Sequence, residues 1–221
     1  AYAMLRSLVG SEMCIRDSSF LAPIDHVDLA LGMRSLLDVA ISEEGPFSGN
    51  VDSFSMAMGG HSRGGKVSIL AAIQDARVQA VFTLDPVDSV GGPFSTPSPE
   101  NPSVTPELMD ELNVPSGYVG AGQGAQGIQP CAPQEDNYNA YYAAAGSPAY
   151  EWLLPNAGHN DFATNLDFLL GSLCPSNDTP ENAQDFGRGA MVAFFSKHLV
   201  GSDIFSGWMD GSALPASVEF S

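Results

Sequence analysis

Short runs of apolar residues along the chain predict β-strands. Four such runs are Phe54–Met58, Val78–Leu84, a shorter one at Tyr118-Val119, and Ala149–Leu154. Each is nearly continuous rather than alternating with polar residues, which is typical of strands buried on both faces. The pattern therefore predicts a parallel sheet that is covered by helices on either side.

Longer segments with helical spacing of apolar residues lie before, between and after these runs. One extends from Pro23 to Glu44, and a second covers Arg63–Gln74. A third begins with Thr179 as N-cap and Pro180 in the first turn, and it runs to Leu199. The expected fold class is α/β, with a mostly parallel sheet and helices on both faces. In such folds the functional residues lie just beyond the carboxyl ends of the strands.

Length and composition agree with a single globular domain. The chain has 221 residues, of which 44% are hydrophobic. It carries 26 acidic and 8 basic residues, a net charge of −18, which argues against nucleic acid and anionic membrane surfaces as partners. No run of about 18 apolar residues is present, so we expect no transmembrane segment. The negative charge is compatible with a small apolar molecule as the ligand or substrate. It does not indicate the oligomeric state.

The first eighteen residues, AYAMLRSLVGSEMCIRDS, do not continue the pattern of strands and helices. They lack the basic and apolar regions of a signal peptide. The string SLVGSEMCIRDS resembles a translated sequencing-adapter tail. We therefore expect residues 1–18 to be a non-native tail and residues 19–221 to form the domain.

The strongest chemical motif is a G-x-S-x-G pentapeptide, Gly60-His61-Ser62-Arg63-Gly64, which lies between an apolar strand and a helical segment. In this setting a serine occupies a tight strand-to-helix turn, and small neighbours let the backbones approach closely. The hydroxyl is the candidate nucleophile. The amide of Arg63, at the helix N-terminus, is the candidate oxyanion donor. The alternative is a glycine-rich turn with a bystander serine.

A serine nucleophile needs a base, and the chain contains four histidines. His159 follows the strand Ala149–Leu154 and is the candidate base. His26 lies on a predicted helix and is expected at the surface. By strand alternation His61 should point away from the serine. His198 should compensate the dipole at a helix C-terminus.

The base in turn needs an acid that holds its tautomer. Asp85 ends the strand Val78–Leu84 and is the candidate, the alternative being an Asp-Pro turn that merely closes the strand. Asp88 and Asp136 remain rivals. The more usual place for this acid is one strand later, but there the chain has Gly-Gln-Gly-Ala-Gln, without a carboxylate. Asp161 is expected to cap the following helix.

The Pro- and Ser-rich segment Gly91–Val114 is the candidate wall or lid of an apolar pocket. Its large apolar residues either line that pocket or pack on the core; they are Phe94, Leu108, Met109 and Leu112. No His, Asp or Glu cluster has the spacing of a metal site, so we expect neither a metal nor a cofactor.

The three cysteines allow one disulfide. Cys131 and Cys174 either pair, leaving Cys14 over, or remain reduced thiols. If the pair forms, the loop-entropy estimate of its contribution to stability is about 4 kcal/mol.

Together these motifs resemble the chlorophyllase family of α/β-hydrolases. The matching segments are GHSRGGK at 60–66, LDPVD at 84–88, GHNDF at 158–162 and CAP at 131–133. The resemblance implies an α/β-hydrolase fold in which Ser62, Asp85 and His159 are nucleophile, acid and base. It also implies an apolar ester substrate, chlorophyll, cleaved to chlorophyllide and phytol. A plastid location follows only from this resemblance; otherwise we expect secretion.

The segment ahead of Ser62 departs from this family pattern. Such enzymes carry strands there and a His-Gly loop that donates a second oxyanion amide, and residues 19–61 contain no His-Gly pair. We therefore expect either a partial domain truncated at its N-terminus or an oxyanion hole built otherwise. Two alternative functions stay open. One is a general esterase, lipase or acetylhydrolase-like enzyme acting on other apolar esters, and the other is an inactive hydrolase fragment.

Overall fold

The computed structural model describes residues 25–89, 96–128, 130–146, 148–164 and 174–221. Along the chain its elements are α1 His26–Ile41, β1 Met56–His61, α2 Arg63–Gln74, β2 Val78–Leu84, a 3₁₀ helix Glu107–Glu111, β3 Ser116–Ala121, α3 Tyr138–Ala144, β4 Ala149–Leu154, a 3₁₀ helix His159–Phe162, α4 Pro180–Val200, α5 Ser206–Met209 and β5 Glu219–Phe220. None of the helices in this part of the chain is long and apolar enough to cross a membrane.

The strands form one five-stranded sheet in the order β1-β2-β3-β4-β5. Strands β1 to β4 are parallel, and β5 pairs antiparallel with β4 through Trp152 and Phe220. Parallel neighbours need a crossover connection, which α2 supplies between β1 and β2 and α3 supplies between β3 and β4. The mostly parallel α/β sheet predicted from the apolar runs is confirmed.

Alternation along the strands divides the core between two helical layers. On one face of the sheet Met58 and Tyr118 pack with buried residues of α1, α2 and α3. On the other face Phe82 and Trp152 pack with α4 and α5. The ring of Phe82 lies 5.8 Å from that of Trp152 and 5.5 Å from that of Phe194 on α4. Both faces of the sheet are therefore covered, as predicted.

Strand β1 is displaced from the apolar run that predicted it. It begins at Met56 rather than Phe54, whose side chain is 85% exposed, and it ends at His61. Gly59 consequently lies inside the strand. A Cβ there would lie 2.5 Å from the carbonyl oxygen of Phe82, so the close approach of β2 requires glycine. The low β-propensity of glycine hides this strand end in the sequence.

The helix predicted near the C-terminus is confirmed as α4. Helix α3, in contrast, is not predicted by the sequence patterns. Pro180 lies in the first turn of α4, and Gly201 ends the helix with φ 67°. The N-cap Thr179 makes no side-chain capping hydrogen bond. Helix α3 is short, and the side chain of Asn137 caps it by accepting a hydrogen bond from Asn139 N–H at 3.1 Å.

His26 opens α1 in a buried position, so its predicted place at the surface is wrong. It is 4% exposed, and its backbone N–H lies 3.0 Å from both the Glu100 carbonyl oxygen and Asn101 Oδ1. Burial, aided by the charge of Lys66, lowers the pKa of His26 to about 4. The helix start lies under the loop that contains Glu100 and Asn101, which local periodicity does not reveal.

The turn from β1 into α2 places Ser62 at φ 57° and ψ −127°. Non-glycine residues rarely adopt a positive φ, and holding one there costs about 1–3 kcal/mol. The neighbouring glycines make room for this turn. A Cβ at Gly60 would lie 2.4 Å from the backbone of Gly64, and one at Gly65 would lie 2.9 Å from Cβ of Pro86. The glycines of the motif therefore act as spacers between closely approaching backbones.

Substitution of Gly60 tests this packing. Gly60→Ala should lower the free energy of unfolding by about 1–3 kcal/mol, because the added Cβ overlaps the Gly64 backbone. Gly146→Ala is the matched control, since a Cβ there meets only the Leu112 carbonyl oxygen at 3.8 Å. Its unfolding free energy should change by less than about 0.5 kcal/mol. Equal losses of stability for the two variants in urea would contradict the spacer role.

Candidate active site

Ser62 lies at the carboxyl end of β1, at the start of α2. Its backbone N–H donates to the Leu84 carbonyl oxygen at 3.0 Å, which holds the turn against the end of β2. Its Oγ lies 2.8 Å from Nε2 of His159. The turn thus presents the serine hydroxyl to the histidine that sequence spacing singles out.

His159 begins the 3₁₀ helix that follows β4, and it is 5% exposed. Its Nδ1 lies 2.6 Å from Oδ2 of Asp85. A carboxylate oxygen can only accept, so Nδ1 carries the proton and donates it to Asp85. Nε2 is then the acceptor for the Ser62 hydroxyl. One neutral tautomer of His159 therefore bridges the serine and the aspartate.

Asp85 follows β2 with φ 40° and is fully buried. Its Oδ1 accepts from Ala121 N–H at 3.0 Å, and its backbone N–H donates to the Val119 carbonyl oxygen at 2.6 Å. These contacts with β3 orient the carboxylate so that Oδ2 meets His159. Both carboxylate oxygens are engaged, which a simple strand-closing turn would not require.

The other carboxylates considered as the acid have different partners. Asp88 lies 3.0 Å from Nζ of Lys66, and its oxygens also accept from Val104 and Thr105 N–H. Asp136 contacts Asp88 through the backbone, by accepting a hydrogen bond from Asp88 N–H at 2.7 Å. Burial and the charge of Asp88 raise the pKa of Asp136. The side chain of Asp161 accepts from Gly158 N–H and so caps its own 3₁₀ helix. Residues 165–173, where the helix that Asp161 was expected to cap would begin, lie outside the described residues.

Lys66 is a buried cation that the motif search does not single out. It is fully buried on α2, and burial lowers its pKa while the charge of Asp88 opposes this. Its Nζ also donates to the Ser89 carbonyl oxygen at 3.1 Å. Through Asp88 the pair connects α2 with Val104 and Thr105. The sequence signal for the pair is that Lys66 and Asp88 lie within the segments GHSRGGK and LDPVD.

Arg63, the candidate oxyanion donor, is the first residue of α2. Its N–H is among the first four of the helix and has no acceptor within it. The positive end of the helix dipole adds to its field. This amide is next to Ser62 in the chain, so it suits a negative oxygen that develops beside Oγ.

The residues expected to line an apolar pocket lie mainly in the core. Met109 is fully buried and Leu112 is 5% exposed, and both pack with Tyr118 and Tyr141. Leu108 is partly buried against the same cluster. Of the two expected alternatives, the structure places Met109 and Leu112 in the core, because the 3₁₀ helix packs onto the sheet face. Phe94 lies outside the described residues.

Two further histidines, His61 and His198, were expected to lie away from Ser62 and to take no part in the site. The prediction that His61 points away from Ser62 is wrong, because its ring lies 4.7 Å from that of His159. Alternation fails there since the strand ends at His61 and the chain turns. His198 lies in the last turn of α4 as predicted, packed on Phe194. Burial lowers the pKa of His198. The lowered pKa disfavours the charged imidazole that would compensate the helix dipole.

The disulfide that the sequence left open is formed between Cys131 and Cys174. On the Cys131 side, Ala132 N–H donates to the carbonyl of Gly124, and a Cβ at Gly124 would lie 3.0 Å from Oδ2 of Asp85. On the Cys174 side, a Cβ at Gly158 would lie 2.3 Å from the Pro175 carbonyl oxygen. The disulfide therefore joins the loop beside Asp85 to the segment beside His159.

No group of three or more His, Cys, Asp or Glu side chains in the described ranges could hold a metal ion. The chemistry that the site offers is that of its own hydroxyl, imidazole and carboxylate. An imidazole that accepts from a serine hydroxyl can take its proton, and a carboxylate on the opposite nitrogen stabilises the resulting positive charge.

Comparison with known sequences places the chain in a family. The family model described as Chlorophyllase matches residues 24–214. The chain belongs to the chlorophyllase family. The resemblance inferred from the motifs is thus confirmed, and the match includes the whole β1–β4 sheet and the Ser62, Asp85 and His159 positions.

Two curated chlorophyllases from Arabidopsis thaliana are similar to this family member. Chlorophyllase-2 is 24% identical over 195 residues, covering 81% of this chain and 61% of the relative. Chlorophyllase-1 is 27% identical over 172 residues, covering 71% of this chain and 52% of the relative. The chain therefore spans less than two thirds of the length of either relative.

A solved structure is similar in fold. A ferulic acid esterase from Streptomyces cinnamoneus superimposes with a TM-score of 0.63 at 22% identity, over 93% of this chain and 58% of the other. The fold is that of an α/β-hydrolase, as the resemblance implies.

Removal of the disulfide should lower the stability of the protein. A Cys131→Ser/Cys174→Ser variant should lose up to about 4 kcal/mol of unfolding free energy, because the unfolded chain regains its loop entropy. Urea unfolding with and without dithiothreitol measures this loss. The reductant should destabilise the wild type and leave the double variant unchanged. An equally stable double variant would contradict a bracing role.

Proposed function

We propose that the chain is a serine carboxylic-ester hydrolase with Ser62 as nucleophile, His159 as general base and Asp85 as the acid that orients it. The observation that carries this proposal is the continuous chain of hydrogen bonds, 2.8 Å from Ser62 Oγ to His159 Nε2 and 2.6 Å from His159 Nδ1 to Asp85 Oδ2. Membership of the chlorophyllase family supports the same class of reaction.

In the first half of the proposed reaction, Ser62 Oγ attacks the ester carbonyl carbon. Its proton passes to Nε2 of His159, and the imidazolium is stabilised by the carboxylate of Asp85. The carbonyl oxygen becomes an oxyanion, for which the Arg63 N–H is the proposed donor at the N-terminus of α2. Collapse of this intermediate expels the alcohol, which takes the proton from His159 and leaves an acyl group on Ser62.

In the second half, water attacks the acyl group while His159 accepts one of its protons. A second oxyanion forms at the same place and collapses to release the carboxylic acid and regenerate the Ser62 hydroxyl. Both nucleophilic attacks start from the same neutral tautomer of His159, which the hydrogen bond to Asp85 selects. No metal or cofactor is needed in either half.

The substrate we propose is chlorophyll, cleaved at its ester to chlorophyllide and phytol. The chlorophyllase family implies an apolar ester in general, and both Arabidopsis relatives are named chlorophyllases. A net charge of −18 does not oppose a large substrate whose isoprenoid alcohol is uncharged and apolar. Esters of other apolar alcohols are the alternative substrates of the same site.

Variants of the hydrogen-bonded residues test the assignment of roles. Ser62→Ala should lower kcat by about 10⁶-fold, as expected when a nucleophile is removed. Asp85→Asn should lower it by about 10⁴-fold, because the amide favours the wrong tautomer of His159. Asp136→Asn is the matched control and should keep the wild-type rate.

A fluorophosphonate probe should label the wild type and Asp136→Asn at Ser62 and should not label Ser62→Ala. Retention of full activity by Ser62→Ala, or labelling at another residue, would refute the nucleophile assignment. A loss in Asp136→Asn as large as that in Asp85→Asn would refute the acid assignment.

A comparison of two esters tests the substrate. The value of kcat/KM for chlorophyll should exceed that for a short nitrophenyl ester by about tenfold or more, because binding energy from the macrocycle and the phytyl chain is available in the transition state. Chromatographic detection of chlorophyllide measures the first reaction, with Ser62→Ala as the blank. Hydrolysis of the nitrophenyl ester alone would favour a general esterase. Absence of both reactions and of probe labelling would favour an inactive hydrolase fragment.

A further inference from the structure

His61 lies directly against the histidine that bridges Ser62 and Asp85. The ring centroids of His61 and His159 are 4.7 Å apart, and the ring of Phe162 lies 6.1 Å from that of His61. Nε2 of His61 is 2.8 Å from the backbone carbonyl oxygen of His159. His61 therefore meets both the side chain and the main chain of His159.

The hydrogen bond to the His159 carbonyl decides which ring nitrogen of His61 carries the proton. A carbonyl oxygen can only accept, so Nε2 carries the proton and donates it. Burial and the nearby His159 lower the pKa of His61 to about 3. The ring is therefore neutral at neutral pH, and it places no positive charge beside the imidazole of His159.

The hydrogen bond joins two parts of the chain that are held in different ways. His61 is the last residue of β1, directly before Ser62, and it is held in register with Leu84 of β2. His159, in contrast, begins a 3₁₀ helix of only four residues, and 3₁₀ helices have poorer hydrogen-bond geometry than α-helices. The bond between them links the main chain of His159 to the strand that carries Ser62.

We infer that His61 is a positioning residue, whose Nε2–H bond to the His159 carbonyl sets the distance between His159 Nε2 and Ser62 Oγ. The inference rests on the proposed function, because it assigns His61 to the alignment of that nucleophile and base. A misplacement of about 1 Å can lower the rate by about 10²-fold. A hydrogen bond that fixes the position of His159 would therefore have a measurable effect on kcat.

Two substitutions separate the hydrogen bond from the ring contact. His61→Gln keeps an N–H donor near the position of Nε2 and loses the ring. His61→Phe keeps a ring of similar size and loses the donor. His198→Gln is the control, since it removes a histidine that packs on Phe194 and Tyr150 at the far end of α4.

The rates of these variants should differ in a defined order. His61→Phe should lower kcat by about 10- to 100-fold and change KM by less than about threefold, because alignment rather than binding is lost. His61→Gln should keep kcat within about threefold of the wild type. His198→Gln should keep both constants. Equal kcat for His61→Phe and the wild type, or equal losses in His61→Phe and His61→Gln, would overturn the inference.

A second readout does not depend on turnover. The far-downfield proton resonance of His159 Nδ1–H, in its bond to Asp85, reports the placement of the imidazole. It should be unchanged in His61→Gln and His198→Gln, and shifted or lost by exchange in His61→Phe. An unchanged resonance in His61→Phe, accompanied only by a lower melting temperature, would assign His61 to stability alone and overturn the inference.

The two readouts distinguish this inference from the proposed function. Full activity of Ser62→Ala would refute the proposed hydrolase, while the resonance of His159 would still decide whether His61 positions that ring. Loss of activity in Ser62→Ala, together with wild-type behaviour of His61→Phe, would refute only the role of His61.

Discussion

Two residues with positive φ, at the ends of neighbouring parallel strands, determine where the rest of the site can lie. Ser62 follows β1 with φ 57°, and Asp85 follows β2 with φ 40°. Each conformation costs about 1–3 kcal/mol, so the surrounding sheet must hold it. The two turns hold each other, because Ser62 N–H donates to the Leu84 carbonyl and Val87 N–H donates to the Ser62 carbonyl. Sheet register and these backbone hydrogen bonds therefore place the serine and the aspartate without any contribution from their side chains.

Strand β3 lies between β2 and β4, so Asp85 has to reach across its end to meet His159. The end of β3 is suited to this crossing. Ala121 N–H donates to the carboxylate, and a Cβ at Gly124 would lie 3.0 Å from Asp85 Oδ2. The turn after β3 is rich in glycine and has no carboxylate, and its small residues leave room for the Asp85 side chain to reach His159. The side chain passes through the space that larger residues would fill.

The parallel sheet is predictable because continuous apolar runs record burial on both faces, which is a local property. The positions of Ser62, Asp85 and His159 are predictable because the G-x-S-x-G motif marks Ser62 and the other two residues follow such runs. His61 is not, since alternation along a strand stops giving directions where the strand turns. Lys66 is not, since burial of a lysine depends on Asp88, which only the fold brings to it. The side chains that cannot be predicted are those whose contacts are made with residues of another strand or loop, distant in the sequence.

The buried pair of Lys66 and Asp88 also bears on the electrostatics of the site. Asp88 is three residues from Asp85, in a chain with a net charge of −18, and a buried carboxylate without a partner is costly. Lys66 at 3.0 Å offsets that charge, and the amides of Val104 and Thr105 satisfy the remaining acceptor capacity of Asp88. Buried pairs gain little net stability over apolar residues. The pair therefore leaves no uncompensated carboxylate at Asp88, and it anchors the segment around Val104 and Thr105 to α2.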